Sequence, residues 1–521
     1  MEISPTLFSA RRELNNDQRT LKDNLMDELL QLVQIISKHK TKNIEIIGIA
    51  AGSNSKAQKL YDLIADGIVT NDQEAAKHMY GTDENDRRYK DLKNRLIDRL
   101  VNTSFFIDVR ENKLSTYQKA YYHTWKSLAA AKILIGKSGH KIGTKLMKES
   151  LKTAEKFELT EVGLYAARQL RSHYGGRLGD SKAFEKYNEL FLQFEDMFRC
   201  ENLADEYYTR VTLDYIQQRS SQDKIAEKAK KYFVEIEPFL NKYDSHRLHI
   251  HGRFLQIYAY SGAKGNVQKV LSICDEAIQF FDQKSFPVQS ATLAFLHQKI
   301  ICCIQLRLFD EGKDAILKTN KMSSPGTLNW FLDYYYMVML SFRCQNFENT
   351  YAYFIKAFHH KNFSILAQPY REGWKIAESY LAFLIAAKKV NGKTEFKISK
   401  FINDVPTYSK DKRGTNVPIL IIQILFLVQQ EKYDEAQNRI QAIKRYSNRY
   451  LQQDESFRSE CFIKMLIEMA RGGFIKDNVN RNAKRYYEKL KEVPPESSNQ
   501  NFEIEIIPYE ALWEILIDQL K

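Results

Sequence analysis

The sequence predicts a mostly α protein, an α-solenoid of helical hairpins behind a small helical N-terminal domain. Three observations carry that expectation. Among 521 residues there are only 21 Gly and 10 Pro, well under the usual ~7% and ~5%, which disfavours turn-rich β folds. Apolar residues make up 44% of the chain, enough to bury a large core and to exclude wholesale disorder. From Leu114 onward, segments with helical apolar spacing alternate with short breaks that recur about every 37 to 46 residues. Each step has room for two helices and two turns.

Residues 1–112 are read as the small N-terminal domain. Asp17 stands as an N-cap before Leu21, Leu25, Leu29, Leu32, Val33 and Ile36, which share helical spacing. Ile44–Ile47 reads as a short strand leading into a small-residue turn. A helix at about 55–66 follows, ending before Gly67. Asn71 caps a short helix closed by Gly81, and Asp86 caps a longer basic one with Tyr89, Leu92, Leu96 and Leu100 as its buried stripe. Ser104–Val109 is apolar and strand-like. Three helices followed by a strand is the order of a winged helix-turn-helix, which this region resembles. That resemblance makes Arg88, Arg95 and Arg99, on one flank of the third helix, candidate contacts to DNA phosphates or guanine edges. Against it, residues 1–110 hold 17 basic and 17 acidic side chains, whereas DNA binding draws on a basic footprint. A helical cap on the solenoid is the competing reading.

Residues 113–490 are read as the repeat array. Three of its breaks share a finer pattern: Phe309-Asp310-Glu311-Gly312, Phe347-Glu348-Asn349-Thr350 and Tyr433-Asp434-Glu435-Ala436. Each puts an aromatic residue three positions before a small one, so that two helices approach at Gly312, Thr350 and Ala436 while Phe309, Phe347 and Tyr433 plug the gap. The first two lie 38 residues apart and the third 86 further on, close to two periods. The pattern resembles the second helix of the tetratricopeptide repeat, although the usual ~34-residue period is not kept. The resemblance implies a right-handed solenoid that binds a protein or peptide partner. A winged helix before such an array is also the layout of some bacterial transcriptional activators. Residues 491–521 close the chain, with a hinge or loop at 491–500, a strand-like piece and a capping helix.

The net charge of +13 is unevenly distributed, with 13 basic and 6 acidic side chains in residues 111–180. The excess therefore begins after the N-terminal region. Tyr117, Tyr121 and Trp125 fall on one helical stripe, read first as helix–helix core, as are Trp330, Tyr334, Tyr335 and Tyr336. Lysines near the first stripe, Lys126, Lys132 and Lys141, are candidates for binding an acidic peptide.

Signals for catalysis are absent. Ala131–Ser138 satisfies a relaxed phosphate-loop pattern, but its flanks read as a helix ending at Gly136 rather than as a strand and loop. His246, His249 and His251 lack a fourth ligand for a tetrahedral metal shell. The six cysteines fit neither a disulfide framework nor a zinc site and suit a reducing compartment. The start, MEISPTLFSARRELNNDQ, lacks the apolar core expected of a secretory signal, and the greasiest stretch, Val417–Val428, is short of the ~20 residues that span a bilayer. The expectation is a cytoplasmic, non-enzymatic adaptor or regulatory protein, with no catalytic residue, cofactor or metal and no membrane contact. It would bind a protein or peptide partner, acidic in character, on its repeat surface. The alternative is a transcriptional regulator with an N-terminal DNA-binding winged helix and a sensing or oligomerising array. Oligomeric state is left open.

Overall fold

The computed structural model describes residues 25–38, 55–107, 114–217, 222–261, 266–401, 416–450, 457–496 and 503–521. Among them there are helices and turns but no strand. Consecutive helices pack against one another, an arrangement compatible with a helical repeat. The chain divides into two compact units, Arg12–Phe198 and Arg199–Lys521.

In the first unit, α1 (Leu25–Lys38), α2 (Lys56–Ala65), α3 (Asp72–Tyr80) and α4 (Arg87–Ser104) surround one buried cluster. Local chemistry sets their ends. Asn71 accepts the Glu74 backbone N–H and Asp86 that of Arg88, while Gly81 takes the left-handed conformation at φ 70°. Tyr89, Leu92, Leu96 and Leu100 are buried as the spacing predicts. Asp72 ties α3 to α4 by accepting from the Tyr89 hydroxyl at 2.6 Å and pairing with buried Lys93 at 2.7 Å.

The expected strand at Ser104–Val109 does not form over its described part. Ser104 ends α4, and the N–H groups of Phe105, Phe106 and Ile107 go to carbonyls three residues back. They are spent on a turn, and Phe105 and Phe106 are exposed. Asp17, Leu21, the expected strand at Ile44–Ile47 and most of the turn after it lie outside the described residues. Three further helices complete this unit's repertoire: α5 (Thr116–Gly136), α6 (His140–Phe157) and α7 (Thr160–Ser172). Ala131–Gly136 is the last part of α5, not a loop. Helix α8 (Ser181–Gln217) contains the division between the units.

The second unit continues with α9 (Gln222–Lys242), α10 (His246–Ala259), α11 (Val267–Asp282), α12 (Gln289–Leu306), α13 (Phe309–Met322), α14 (Leu328–Arg343) and α15 (Phe347–Phe358). Then come α16 (Gln368–Ala386), α17 (Asn416–Gln429), α18 (Tyr433–Tyr450), α19 (Phe457–Arg471), α20 (Lys476–Glu492) and α21 (Tyr509–Ile517). Phe309, Phe347 and Tyr433 are each the first residue of a helix. Thr350 and Ala436 are fully buried, and a Cβ on Gly312 would stand 2.9 Å from Leu340 Cδ2 and 3.0 Å from Cys303 Cβ. At that junction a side chain on residue 312 fits only if Leu340 and Cys303 give way. Trp330, Tyr334 and Tyr336 are buried in the same core.

A single turn recurs across both units. Ser138, Glu158, Arg307, Gln345, Lys388 and Glu431 all adopt positive φ, between 52° and 66°. The residue after each donates to the carbonyl five positions back, at 2.7–2.9 Å. This is the Schellman helix stop, built here without glycine. After five of these six residues the next helix begins two positions later, at His140, Thr160, Phe309, Phe347 and Tyr433.

The C-terminal segment is held by charge as well as by apolar packing. Arg458 on α19 is fully buried and bonds both oxygens of Glu505 at 2.9 and 2.6 Å and both of Glu510 at 2.9 and 2.6 Å. Its Nη1 also donates to the carbonyls of Leu490 and Val493. Burial alone would pull this guanidinium's pKa down, but Glu505 and Glu510 hold it above its ordinary value. Buried Arg343 donates to the Glu505 carbonyl at 2.9 Å. That bond helps explain why the expected strand-like piece at the end of the chain is turn and bend over 503–507: the Glu505 carbonyl faces a guanidinium instead of a neighbouring strand. Of the expected hinge, residues 491 and 492 are helical, 493–496 are not, and 497–500 lie outside the described residues. Among the described residues no helix is long and apolar enough to cross a membrane, and Val417–Val428 is buried within α17.

Candidate functional site

The N-terminal half of α6 puts Lys141, Lys145 and Lys148 on one face, since positions i, i+4 and i+7 line up at 3.6 residues per turn. The opposite face, with Met147, Leu151 and Ala154, is buried. Gly143 lets α6 approach α5 closely, because a Cβ there would stand 2.5 Å from Ile135 Cγ1.

Facing the lysines is a single π turn, His173–Arg177, at the end of α7. Such turns are uncommon and widen the backbone by one residue. Here the turn brings His173 and Tyr174 to the wall of a cleft of about 400 Å3, which is also lined by His140 and the three lysines. Packing fixes the turn from behind. Tyr174 stacks on Tyr187 with ring centroids 5.3 Å apart, and a Cβ on Gly175 would stand 2.6 Å from Phe184 Cδ2.

The electrostatics are one-sided. Glu149, 4.0 Å from Lys145, is the one carboxylate on the cleft wall among the described residues. Arg177 donates from Nη1 to His140 Nε2, and among the described residues no carboxylate pairs with its guanidinium. Lys148 lies 5.1 Å over the Tyr174 ring, and its hydrogen bond to that tyrosine raises its pKa above the ordinary lysine value. Burial, reinforced by Arg177, His140 and Lys148, lowers the His173 pKa below that of a free imidazole. The first turn of α6 carries no acidic residue, and Gly139 offers it no side-chain cap. The arrangement suits an anion.

Of the three lysines singled out by sequence, Lys141 lines this cleft. Lys126 donates to the Ile107 carbonyl at 2.8 Å, and Lys132 sits 5.6 Å over the Tyr165 ring. Tyr117, Tyr121 and Trp125 do form a contiguous stripe, with centroids 6.3 Å apart at each step. They are half-buried or exposed rather than core. Sequence reasoning missed His140, Lys145, Lys148, His173 and Arg177. The lysine spacing was a readable signal, but the π turn that supplies His173 and Arg177 was not.

The candidate DNA-binding arginines all lie on α4. Arg88 is held by Asp86 at 2.7 Å, Arg95 donates from Nε to the Asp91 carbonyl at 3.0 Å, and Arg99 is half-buried. Among the described residues no group of His, Cys, Asp and Glu is placed to hold a metal ion. His249 stacks on Phe280 at 3.8 Å and donates to the Tyr243 carbonyl, while His251 lies 3.5 Å from Asp205. The six cysteines are free thiols. No family model, curated protein or solved structure matches the chain.

Proposed function

We propose that the chain is a non-enzymatic, cytoplasmic adaptor built on a tetratricopeptide-like, right-handed array, and that it binds an acidic segment of a protein partner at the α6 cleft. One observation carries this reading: Lys141, Lys145 and Lys148 line one concavity with a single carboxylate among the described residues of its wall, and Arg177 stands behind it on His140. Maintaining that charge without a partner weakens α6, because like charges at i, i+4 repel. An acidic ligand relieves the repulsion and is steered to the site by the same field. The helical starts at Phe309, Phe347 and Tyr433 support the repeat reading. An α4 that binds duplex DNA is the competing reading, and it is less well supported because Asp86 already engages Arg88.

Fluorescence anisotropy on the full chain tests the two together, with a labelled glutamate-rich peptide and a labelled DNA duplex as probes. The expected result is peptide binding that weakens at least about tenfold in Lys141→Gln/Lys145→Gln/Lys148→Gln and is unchanged in Arg88→Ala/Arg95→Ala/Arg99→Ala. Duplex binding that is lost only in the arginine variant would replace this reading with the regulator.

A further inference from the structure

We infer that the cleft is a phosphate-recognition site, taking a phosphoserine- or phosphothreonine-bearing segment of the partner in preference to a segment whose charge comes from carboxylates alone. This rests on the proposed acidic-partner reading and adds the chemistry of the group that is read.

Three features of the site point past a carboxylate. The first is the number of donors that converge. Lys145 and Lys148 from α6 meet His173 and Tyr174 from the π turn on one wall. A carboxylate brings two oxygens and a single negative charge to a wall that also holds Lys141. A phosphomonoester has three terminal oxygens and a charge of about −1.5 to −2 at neutral pH. The second is the absence of internal neutralisation. Among the described residues no carboxylate pairs with Lys141, Lys148 or Arg177, and the latter's partner is the His140 imidazole. The guanidinium, bonded to His140 on the cleft wall, adds uncompensated positive charge beside the site, which favours a dianion over a single carboxylate. The third is rigidity. Tyr174 is stacked on Tyr187, and the turn is wedged at Gly175 against Phe184, so its donors are ordered before any ligand arrives. The volume of about 400 Å3 lies in the range of small-ligand sites, ample for a phosphorylated side chain and its neighbours.

The test uses the full chain and three short labelled peptides on one Gly-Ser backbone, carrying phosphoserines, glutamates at the same positions, or neither. Anisotropy should show the phosphopeptide binding about tenfold more tightly than its glutamate counterpart, with the unmodified peptide not binding. Lys148→Gln/Arg177→Gln should remove at least about tenfold of the phosphopeptide affinity while leaving the thermal unfolding midpoint in place. Equal binding of the phospho and glutamate peptides would overturn the phosphate preference and leave the acidic-partner reading standing. Failure of both peptides to bind would overturn both. Phosphopeptide binding unchanged in Lys148→Gln/Arg177→Gln would place the interaction elsewhere on this basic chain and overturn the assignment. Pyrophosphate is the competitor. If it binds as tightly as the phosphopeptide and with the same sensitivity to the variant, the site reads a small phosphate compound, and the partner-segment source is wrong.

Discussion

Cations are treated in opposite ways around Arg458 in the second unit and around α6 in the first. Around Arg458 the cation is buried, both carboxylates are within hydrogen-bonding distance, and the remaining N–H groups reach backbone carbonyls. Around α6 the cations are exposed, face a cleft and have one carboxylate among them. Burial is what separates the cases. A charge taken out of water must be matched or the fold fails, whereas an exposed one costs little when unmatched. The matched set is architecture, and the unmatched set is what remains available to a ligand.

The largest effect expected from breaking this contrast is at Arg458. Arg458→Met strands two carboxylates, Glu505 being fully buried, and should cost about 3–5 kcal/mol in urea denaturation. Adding Glu505→Gln and Glu510→Gln should recover part of that loss. A combined variant no more stable than Arg458→Met alone would assign the cost to packing instead of charge.

A buried group can also escape the penalty by giving up its charge. His249 does so: burial, with Arg253 next in effect, lowers its pKa from 6.5 to about 4. Between those values the unfolded chain holds a proton that the folded chain does not. Stability therefore falls as pH drops from 6.5 to 4, by about 3 kcal/mol in full. His249→Gln should flatten that part of the pH–stability profile relative to wild type. An identical slope in the variant would mean that His249 is charged in the fold.

The smallest effect belongs to the cleft. Lys141→Gln/Lys145→Gln removes two exposed like charges at i, i+4, so the unfolding midpoint should stay put or rise by about a degree. A marked drop would mean that these lysines are structural and the contrast false.

How much of this could be read in the sequence depended on where the signal lay. The caps at Asn71 and Asp86 and the stripe on α4 follow from local spacing and were legible. So were the helix starts at Phe309, Phe347 and Tyr433, because an aromatic and a small residue three apart are both needed at one junction. The recurring helix stop was hidden. Its left-handed residues are Ser138, Glu158, Arg307, Gln345, Lys388 and Glu431, none of them the Gly or Asn that normally marks such a position. Each is held there by the two packed helices, at a conformational cost of about 1 kcal/mol. The charge excess in residues 111–180 was plain, yet the cleft depends on a π turn at the end of the next helix bringing His173 and Tyr174 against α6. The strand-like reading of Ile504–Ile507 went wrong because Glu505, Ile506 and Ile507 are buried in succession, and the Glu505 carboxylate and carbonyl go to Arg458 and Arg343 instead of to a neighbouring strand.

The carboxylate that neutralises Arg458 has a further consequence, for the order in which the chain is made. Glu505, whose carbonyl also receives Arg343, is synthesised 162 residues after it. At ribosomal speeds that is a wait of roughly ten to thirty seconds. An array of stacked helices can otherwise settle pair by pair as it emerges. Here α14 and α19 each carry an arginine that cannot enter the core before its counter-charge exists. The second unit is therefore completed only when its last helix is released, and a nascent chain stalled before Glu505 should expose both arginines to chaperones.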